Sequence, residues 1–404
     1  MTRQEIIANA KSLVNDYPNI ALQWATGLGK SRCAIELTKN VSSNPKVLLV
    51  VYEIAHKKNW EEEFKKWGIF KNLTVICYAS LKNYINTEWD AVIWDEAHHL
   101  RSELKSSILA TIKSKHHFFL SATFPNGLLD YLGIMIKSKI VKYTISLDSA
   151  IKANIIPEPT VYMVKLFLNS MERNQEIVEE WGKSVLRKEF IVNYPDRWKY
   201  KKNKKTYPNV RLVIKCTELE KYRYLCEQVD YWKKRYMIER YSHIKNKWLQ
   251  YGSQRKKYLG ELKTPYVKEL IKKLGDKRFI CFCTSIAQAD SLNSQNSIHS
   301  KMNNPGAVIE NFNKHNINSL FACQMITEGQ NLNDIEASII VQLDGQELRY
   351  IQKTGRVLRA ENPIQFVLYY ENTRDSEYLA NALTVMDKNY VKSMTMMELK
   401  SLEL

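Results

Sequence analysis

Trp24-Ala25-Thr26-Gly27-Leu28-Gly29-Lys30-Ser31 follows directly on the apolar run Ile20–Trp24. Gly27 and Gly29 allow main-chain N–H groups to turn towards a phosphate. The Lys30 ammonium can reach β- and γ-phosphate oxygens, and the Ser31 hydroxyl can bind Mg²⁺. The stretch therefore predicts a phosphate loop between a strand and a helix. A glycine-rich turn without a ligand is the alternative, and Trp24 departs from the strict pattern, which has glycine or alanine there.

An acidic pair, Asp95 and Glu96, follows the apolar run Ala91–Trp94. A carboxylate at the end of a strand beside a phosphate loop can hold Mg²⁺, and a second carboxylate can orient and deprotonate an attacking water. Most acidic pairs after strands are solvated loop ends, so the pair alone says little. Its position about 65 residues after the phosphate loop favours the metal-binding interpretation.

Short apolar runs alternate with helical patterns over the first 160 residues. Several runs are continuous, as in strands buried on both faces of a parallel sheet. We expect a doubly wound α/β lobe with the phosphate loop at the carboxyl end of a strand. The strand-like runs are Ile20–Trp24, Val47–Tyr52, Leu73–Tyr78, Ala91–Trp94, His117–Ser121 and Ile140–Ile145, and the helical patterns are Ser31–Asn40 and Lys57–Trp67.

The same alternation returns after Lys263. Thr264 is a cap followed by Pro265 at the first helical position, and Gly275 ends that helix. The two halves share no obvious repeat, so the order of elements is what predicts a second α/β lobe. Its strand-like runs are Phe279–Cys283, Ser297–His299, Ser319–Cys323, Ala337–Gln342 and Ile364–Tyr370, with helical patterns at Ala287–Leu292 and Ala307–Asn313.

Residues 161–262, between the lobes, are basic and aromatic. The first 100 of them include 24 Lys/Arg and 11 Asp/Glu, so this quarter carries most of the excess charge. Thr217 and Glu220 form a possible capping box, after which apolar residues recur at helical spacing with one slip. We expect a long helix or a helical hairpin. In the simplest interpretation Trp232 and Trp248 belong to its core stripe, while outward-facing Lys and Arg remain available to phosphates.

The chain has 404 residues, which favours two or three domains, and a net charge of +17. This charge predicts attraction to a polyanion. Nucleic acid is favoured over a membrane, because no apolar stretch reaches the roughly 18 residues of a span. No secretory signal is visible and the seven cysteines lack zinc-site spacing, so we expect a cytoplasmic protein. Cys281 and Cys283 should share one face of a strand. His99, His116 and His117 lack ligand spacing and are expected to be structural.

Together these motifs resemble those of superfamily-two helicases and translocases. The phosphate loop matches their first motif, Asp95–His98 the DEAH form of the second, and Ser121–Thr123 the third. Thr327–Leu332 resembles the fifth motif. Gln352–Arg359 matches the sixth, Gln-x-x-Gly-Arg-x-x-Arg. Order and spacing agree over most of the chain, and five ordered motifs are a far stronger signal than any one of them.

The first half resembles DNA motors in particular. Its phosphate loop is similar to that of restriction-enzyme motor subunits, which accounts for Trp24. Asn59–Phe64, which contains Trp60, and Val75–Leu81 look similar to Swi/Snf-type translocases. The sequence stops about 45 residues after the sixth motif, so we do not expect the large C-terminal domains of DEAH RNA helicases. Tyr52 replaces a usual proline and Asn331 a common aspartate, departures that concern nucleic-acid contacts rather than the ATPase.

This resemblance implies two RecA-like lobes with ATP and Mg²⁺ between them. The first lobe would bind the phosphates through the loop and provide a catalytic carboxylate. His98 would couple the nucleotide to Ser121 and Thr123. The residues implied in this lobe are Gly27, Gly29, Lys30 and Ser31 for ATP, Ser31 and Asp95 for Mg²⁺, and Glu96 for the attacking water.

The second lobe would complete the site. By resemblance, Arg356 and Arg359 neutralise charge on the γ-phosphate in the transition state. Gln352 would touch the γ-phosphate or its water, and Gly329 would let the backbone approach the nucleotide. Gln4 would read adenine, unless it is only a polar residue at a helix start.

We therefore expect an ATP-dependent helicase or translocase that acts on DNA as a monomer, without a nuclease centre of its own. The fold class is α/β, with two RecA-like parallel-sheet lobes and a basic, largely helical insertion between them. An ATP-dependent RNA helicase and an ATP-sensing nucleic-acid-binding scaffold without turnover remain alternatives. The compact build suits a phage or mobile-element protein in a bacterial or phage-infected cell. The expected domains are 1–160, 161–262, 263–375 and a helical tail, 376–404, and the expected nucleic-acid-binding residues are Lys201, Lys202, Lys204 and Lys205.

Overall fold

The computed structural model contains two α/β lobes and an inserted segment. It describes residues 2–25, 27–68, 71–183, 186–202, 206–302, 304–323, 332–343, 360–383 and 388–403. Six of the residues selected from the sequence lie outside these ranges, namely Lys204, Lys205, Gly329, Gln352, Arg356 and Arg359.

The first lobe is built on a six-stranded sheet in which all neighbouring strands are parallel, with the order β3-β2-β4-β5-β1-β6. Its central apolar runs are strands covered on both faces, and every residue of Val47–Val51 is buried, whereas the edge strands β3 and β6 are partly exposed. This confirms the doubly wound lobe. Its elements are α1 (Arg3–Asp16), β1 (Asn19–Trp24), α2 (Lys30–Val41), β2 (Val47–Val51), α3 (Ile54–Trp67), β3 (Leu73–Cys77), β4 (Glu88–Trp94), α4 (Glu103–Leu109), β5 (Lys113–Ser121), α5 (Leu128–Met135), β6 (Val141–Ile145) and α6 (Leu147–Lys152).

The strand order explains where a site can form. Strand β5 lies between β4 and β1, and Ser121 at its end pairs in register with Gln23 of β1. The phosphate loop after β1, Ser121 of β5 and Asp95 after β4 therefore leave the sheet at three adjacent carboxyl ends. Carboxyl ends of neighbouring parallel strands are where α/β sheets bind ligands.

The second lobe has a seven-stranded parallel sheet with the order β12-β13-β11-β14-β15-β7-β16. Two of its strands fall elsewhere in the domain division drawn from the sequence. Thr160–Leu166, assigned to the insertion, pairs with β15, and Val391–Thr395, in the expected helical tail, pairs with β7. Its elements are β7 (Thr160–Leu166), α10 (Thr264–Leu274), β11 (Phe279–Phe282), α11 (Ile286–Asn293), β12 (Ser297–Ile298), α12 (Pro305–Asn313), β13 (Ser319–Ala322), β14 (Ala337–Ile340), β15 (Ile364–Tyr370), α13 (Arg374–Ala382), β16 (Val391–Thr395) and α14 (Met396–Ser401).

The inserted segment combines a small sheet with a long helical hairpin. Three strands form the order β8-β10-β9, antiparallel between β8 and β10 and parallel between β9 and β10. The capping box expected at Thr217 and Glu220 begins the first helix of the hairpin. The slip in the helical pattern is the hairpin turn, where Arg240 has a left-handed backbone. The elements are β8 (Gln175–Trp181), β9 (Lys188–Asn193), α7 (Arg197–Lys202), β10 (Val210–Cys216), α8 (Glu218–Glu239) and α9 (Ser242–Leu262).

Lys263 joins this hairpin to the core of the second lobe. It lies between α9 and α10 and is 0% exposed. Its Nζ donates to the carbonyl oxygens of Val341 (2.8 Å) and Leu368 (3.0 Å), to Gln342 Oε1 (2.9 Å) and to Asp375 Oδ2 (2.7 Å). The Gln342 amide also donates to Asp375 Oδ1. The buried charge thus has an ionic partner and a full set of acceptors, as stability requires.

In the described part of the chain, no helix is both long and apolar enough to cross a membrane. None of the seven cysteines, all of which lie in the described ranges, forms a disulfide. Cys281 and Cys283 are buried with their sulfur atoms 3.8 Å apart, so they share a face as expected.

Candidate nucleotide-binding site

The phosphate loop owes its shape to two glycines. Gly27 and Gly29 have φ angles of +91° and +85°, in the left-handed region that side chains disfavour. A Cβ added to either would meet no atom within 4 Å, so backbone conformation rather than crowding calls for glycine. Helix α2 begins at Lys30 with no acidic residue in its first turn. Its N–H groups and dipole therefore favour an anion at the loop.

Lys30 folds back over this loop. Its Nζ donates to the carbonyl oxygen of Trp24 at 2.9 Å and to that of Ala25 at 3.4 Å. Its positive charge also lowers the pKa of Asp95, so the loop and the acidic pair lie within electrostatic reach of each other. Ser31 is half-buried in the same first turn of α2.

Asp95 is half-buried, and three groups donate hydrogen bonds to it. Trp60 Nε1 donates to its Oδ2 at 2.7 Å, the backbone N–H of Glu96 donates to its Oδ1 at 3.1 Å, and the Tyr78 hydroxyl donates to its carbonyl oxygen at 3.1 Å. Burial, and secondly the charge of Glu96, raise the pKa of Asp95 to about 6, while the Trp60 hydrogen bond and the positive charge of Lys30 oppose the shift. A cation placed here would favour the ionised carboxylate.

Glu96 is linked through His98 to the end of β5. Its Oε2 lies 3.3 Å from His98 Nδ1, and that nitrogen lies 3.1 Å from Ser121 Oγ. Ser121 Oγ in turn donates to the Thr123 carbonyl and accepts from the Thr123 N–H. His98, Ser121 and Thr123, which were expected to couple the nucleotide to the third motif, therefore lie in one hydrogen-bonded chain, and Glu96 lies beside its first member. Glu96 itself has a left-handed backbone, with φ of +46°.

The neighbours of the acidic pair could not be assigned to it from the sequence. Trp60 and Tyr78 both lie in segments that resemble Swi/Snf-type translocases, and Tyr78 also ends a strand-like run, but neither pattern points to Asp95. His56, 1% exposed, is another of these neighbours, and its charge would lower the pKa of Asp95. No local signal in the sequence marks these contacts, because 17 to 39 positions separate the partners. Tyr52, which replaces a usual proline, stacks on His99 with ring centroids 3.7 Å apart.

The other selected residues are placed less centrally. Gln4 is exposed in the first turn of α1, and its role in reading adenine stays a prediction. Lys202 is exposed at the end of α7. Lys201, in contrast, lies 2.6 Å from Glu179 Oε1 and is only 18% exposed. Its charge is therefore largely neutralised within the protein.

The residues present fit a nucleotide and Mg²⁺. Glu96 Oε2 is buried and has no hydrogen-bond donor among the described residues, so it can accept from a water in the site. No group of three or more His, Cys, Asp or Glu side chains in the described ranges could hold a metal. Mg²⁺ suits such a site, because it is commonly held by one or two protein oxygens together with phosphates and water.

Comparison with known families agrees with this geometry in both halves. Residues 2–78 match the family described as "Type III restriction enzyme, res subunit" (ResIII), and residues 262–361 match the "Helicase conserved C-terminal domain". The two matches, one in each lobe, support a superfamily-two helicase with ResIII-like features. The second match spans the segment that contains the sixth motif. Helicase domains of this kind imply ATP hydrolysis. No curated protein matches the sequence of this chain.

Solved structures share its fold at low sequence identity. Dbp5 of S. cerevisiae, bound to RNA and ADP-BeF3, aligns with a TM-score of 0.59 and 11% identity over 98% of this chain and 91% of Dbp5. A leucine-to-valine variant of Dbp5, in the same bound state, gives 0.57 and 11% over 98% and 92%. The helicase domain of Pyrococcus furiosus Hef gives 0.49 and 12% over 94% and 97%. The Dbp5 likeness confirms the tandem RecA-like architecture.

Proposed function

We propose that this superfamily-two helicase hydrolyses ATP in order to move along DNA. The observation that carries the proposal is the meeting of the phosphate loop, the acidic pair and the Ser121 chain at three adjacent strand ends. Two further features support DNA as the polymer. The first lobe matches a family of restriction-enzyme subunits, and the net charge of +17 favours a polyanion.

In this mechanism the first lobe binds and activates. Main-chain N–H groups of the phosphate loop and the Lys30 ammonium hold the β- and γ-phosphates, and Ser31 and Asp95 hold Mg²⁺, which supplies charge neutralisation when bound. Glu96 orients the attacking water and accepts its proton. This role suits Oε2, which is buried and has no protein donor among the described residues.

The second lobe is proposed to complete catalysis. Arg356 and Arg359 neutralise the γ-phosphate, Gln352 contacts the phosphate or its water, and Gly329 gives the nucleotide room, as the resemblance implies. Hydrolysis then depends on closure of the lobes. His98 lies between Glu96 and the end of β5, so a change at the γ-phosphate can reach the Ser121–Thr123 turn.

The inserted segment is proposed to hold the DNA backbone. Binding that depends on phosphates should weaken steeply with salt, because each neutralised phosphate releases counterions. Lys202 is exposed and suits this role, whereas the ion pair between Lys201 and Glu179 supports it less. The contribution of Lys204 and Lys205 is part of the proposal from sequence alone.

The test is a panel of ATPase measurements with single-stranded DNA, duplex DNA and RNA, each at two salt concentrations. We expect stimulation by DNA that falls at high salt. Lys30→Ala should abolish turnover and largely spare DNA binding, and a loss of both would indicate misfolding. Stronger stimulation by RNA would favour the alternative of an RNA helicase. RNA is the polymer to which Dbp5 is bound in its solved structure. Turnover near zero with every polymer would favour the ATP-sensing scaffold.

A further inference from the structure

The outer part of the helical hairpin continues past the residues that anchor it. We call residues 230–254 the hairpin tip. The inner part of the hairpin packs on the second lobe through Tyr222, Tyr224 and Leu225, which belong to the core cluster of the second sheet, and Tyr251 of the tip packs against the same cluster. From Leu225 to the end of α8 the helix continues for about 21 Å at 1.5 Å per residue.

The tip is ordered by contacts within itself. Ile244 is 0% exposed, and the rings of Tyr236 and Trp248 stack across the two helices with centroids 5.8 Å apart. This is the core stripe expected from the helical spacing. Other rings of the tip contact neighbours on their own helix, Tyr231 against Trp232 and Tyr241 against His243, but remain largely exposed.

Several of those side chains face solvent. Tyr231 is 52% exposed, Ile238 83% and Tyr241 59%. Tyr231 and Ile238 are seven residues apart and so share one face of α8. Exposed aromatic and branched side chains concentrated at the end of a projecting hairpin mark a contact surface rather than scattered surface apolar residues.

The cations of the tip are not neutralised by carboxylates. The tip has six Lys/Arg and two Asp/Glu. One ion pair joins Arg235 to Glu239. The other five cations have no carboxylate within ion-pairing distance among the described residues; they are Lys233, Lys234, Arg240, Lys245 and Lys247. Three of the five lie over aromatic rings: Arg240 and Lys245 over Tyr236, and Lys247 over Trp232, with its Nζ 4.5 Å from the ring centre.

We propose that the hairpin tip is a second nucleic-acid site, which binds an unpaired strand. Cations placed between exposed aromatic rings are the combination that binds single strands, because phosphates pair with the cations and the faces of free bases stack on the rings. Bases within a duplex hide those faces, so cations alone would serve to bind a duplex. The proposal rests on nucleic acid being the substrate, as in the proposed function, and it places one contact remote from the nucleotide.

The first test removes the aromatic faces. Tyr231→Ala with Tyr241→Ala, in the full chain, should weaken binding of a fluorescein-labelled 20-mer of thymidylate about tenfold or more by anisotropy without nucleotide. Binding of a blunt 20-base-pair duplex should change less than about threefold. Tyr17→Ala is the matched control, since Tyr17 is also exposed and has Lys139 over its ring. An equal loss for both probes, or none, would overturn the unpaired-strand site.

The second test removes charge. Lys233→Gln with Lys234→Gln should lower the slope of log affinity against log salt by about 0.7 for each phosphate that the tip no longer neutralises. Lys268→Gln with Lys272→Gln, exposed on α10, is the control and should leave the slope unchanged. An unchanged slope for the tip variant, with wild-type binding only to phosphatidylserine vesicles, would assign the tip to a membrane surface and overturn the proposal.

The two proposals can fail separately. If DNA stimulates the ATPase but the tip variants bind thymidylate as wild type does, only the tip site is wrong. If no polymer stimulates turnover but the tip variants still lose affinity, the tip site stands and the motor fails. Basal ATPase and thermal unfolding should match wild type in all four variants, since none of these residues contacts the nucleotide-binding site.

Discussion

Each lobe places an aspartate near the carboxyl edge of its parallel sheet, but the two carboxylates have very different neighbours. Asp375 in the second lobe is 1% exposed and receives Lys263, the Gln342 amide and the Tyr370 N–H. Asp95 in the first lobe receives neutral donors and has Glu96 beside it, so that its pKa is raised to about 6. The charge of Asp375 is compensated by the fold, whereas that of Asp95 is only partly so.

The comparison separates a structural carboxylate from a functional one. A fully compensated charge contributes to stability and has little left to offer a ligand. An undercompensated charge costs stability and gains most when a cation arrives. The candidate site therefore lies where the fold leaves a carboxylate charge only partly compensated, so that bound Mg²⁺ and phosphates would complete the compensation.

The largest expected effect concerns Asp375, the aspartate whose charge is fully compensated. Asp375→Ala leaves the Lys263 ammonium buried without its counterion, and the free energy of unfolding should fall by about 3–5 kcal/mol. Denaturant unfolding of the second lobe measures it. The double variant Lys263→Met with Asp375→Leu should recover much of the loss, because no unpaired charge remains. If Asp375→Ala is as stable as wild type, the buried ion pair between Lys263 and Asp375 does not contribute to the free energy of unfolding.

A pH effect should follow from His117 in the first lobe. Burial lowers its pKa from 6.5 to about 4, and Trp94 Nε1 donates to its Nδ1 at 3.1 Å. As the pH falls, His117 binds its proton in the unfolded state before it does so in the folded state. The free energy of unfolding should therefore fall by about 3 kcal/mol between pH 6.5 and pH 4.

The measurement is the free energy of unfolding of wild type minus that of His117→Gln, which keeps an acceptor for Trp94. The difference cancels the opposite contribution of Asp95, whose raised pKa favours the fold as it protonates. A difference that stays constant between pH 7 and 4 would contradict the assignment.

Asp95→Asn should separate activity from stability. Loss of the metal-binding oxygen should lower ATP turnover at least about 100-fold, or about 2.7 kcal/mol. The unfolding free energy without Mg²⁺ should be unchanged or higher, since a disfavoured charge has been removed. Steady-state ATPase and thermal unfolding are the two readouts. A turnover loss accompanied by an equal destabilisation would place Asp95 with Asp375 as a structural group.

The smallest effect should come from Trp60→Phe, which removes one donor to Asp95 and keeps an aromatic ring. Residues that orient a metal ligand typically change metal affinity about 10- to 100-fold, and we expect the lower end for the Mg²⁺ concentration at half-maximal ATPase. Trp67→Phe is the control on the same helix, because Trp67 Nε1 donates to Glu63 Oε2 at 3.0 Å. Equal effects of the two substitutions would show that only the packing of α3 had changed.

Local patterns were sufficient for much of the fold. Continuous apolar runs identified all six strands of the first sheet, and the capping box at Thr217 and Glu220 located the start of α8. The strands β7 and β16 were assigned to other domains because the sequence of a strand does not show which strand it pairs with. Residues of β7 pair with β15, about 200 positions later, and only the assembled sheet shows it.

The candidate site divides in the same way. The phosphate loop and the acidic pair are contiguous motifs, and both could be selected from the sequence. Trp60 and Tyr78 could not, because their contacts with Asp95 depend on how α3 and β3 pack beside β4. Lys201 illustrates the converse: a cationic run suggested a free phosphate ligand, but its pairing with Glu179 could only be seen in three dimensions.

Lys263 connects the inserted hairpin mechanically to the second lobe. This residue immediately follows α9 and donates hydrogen bonds to the backbone of Val341 and Leu368, in or next to two neighbouring strands. A load applied to the far end of the hairpin would thus reach these two strands of the second sheet directly, without passing through a flexible linker.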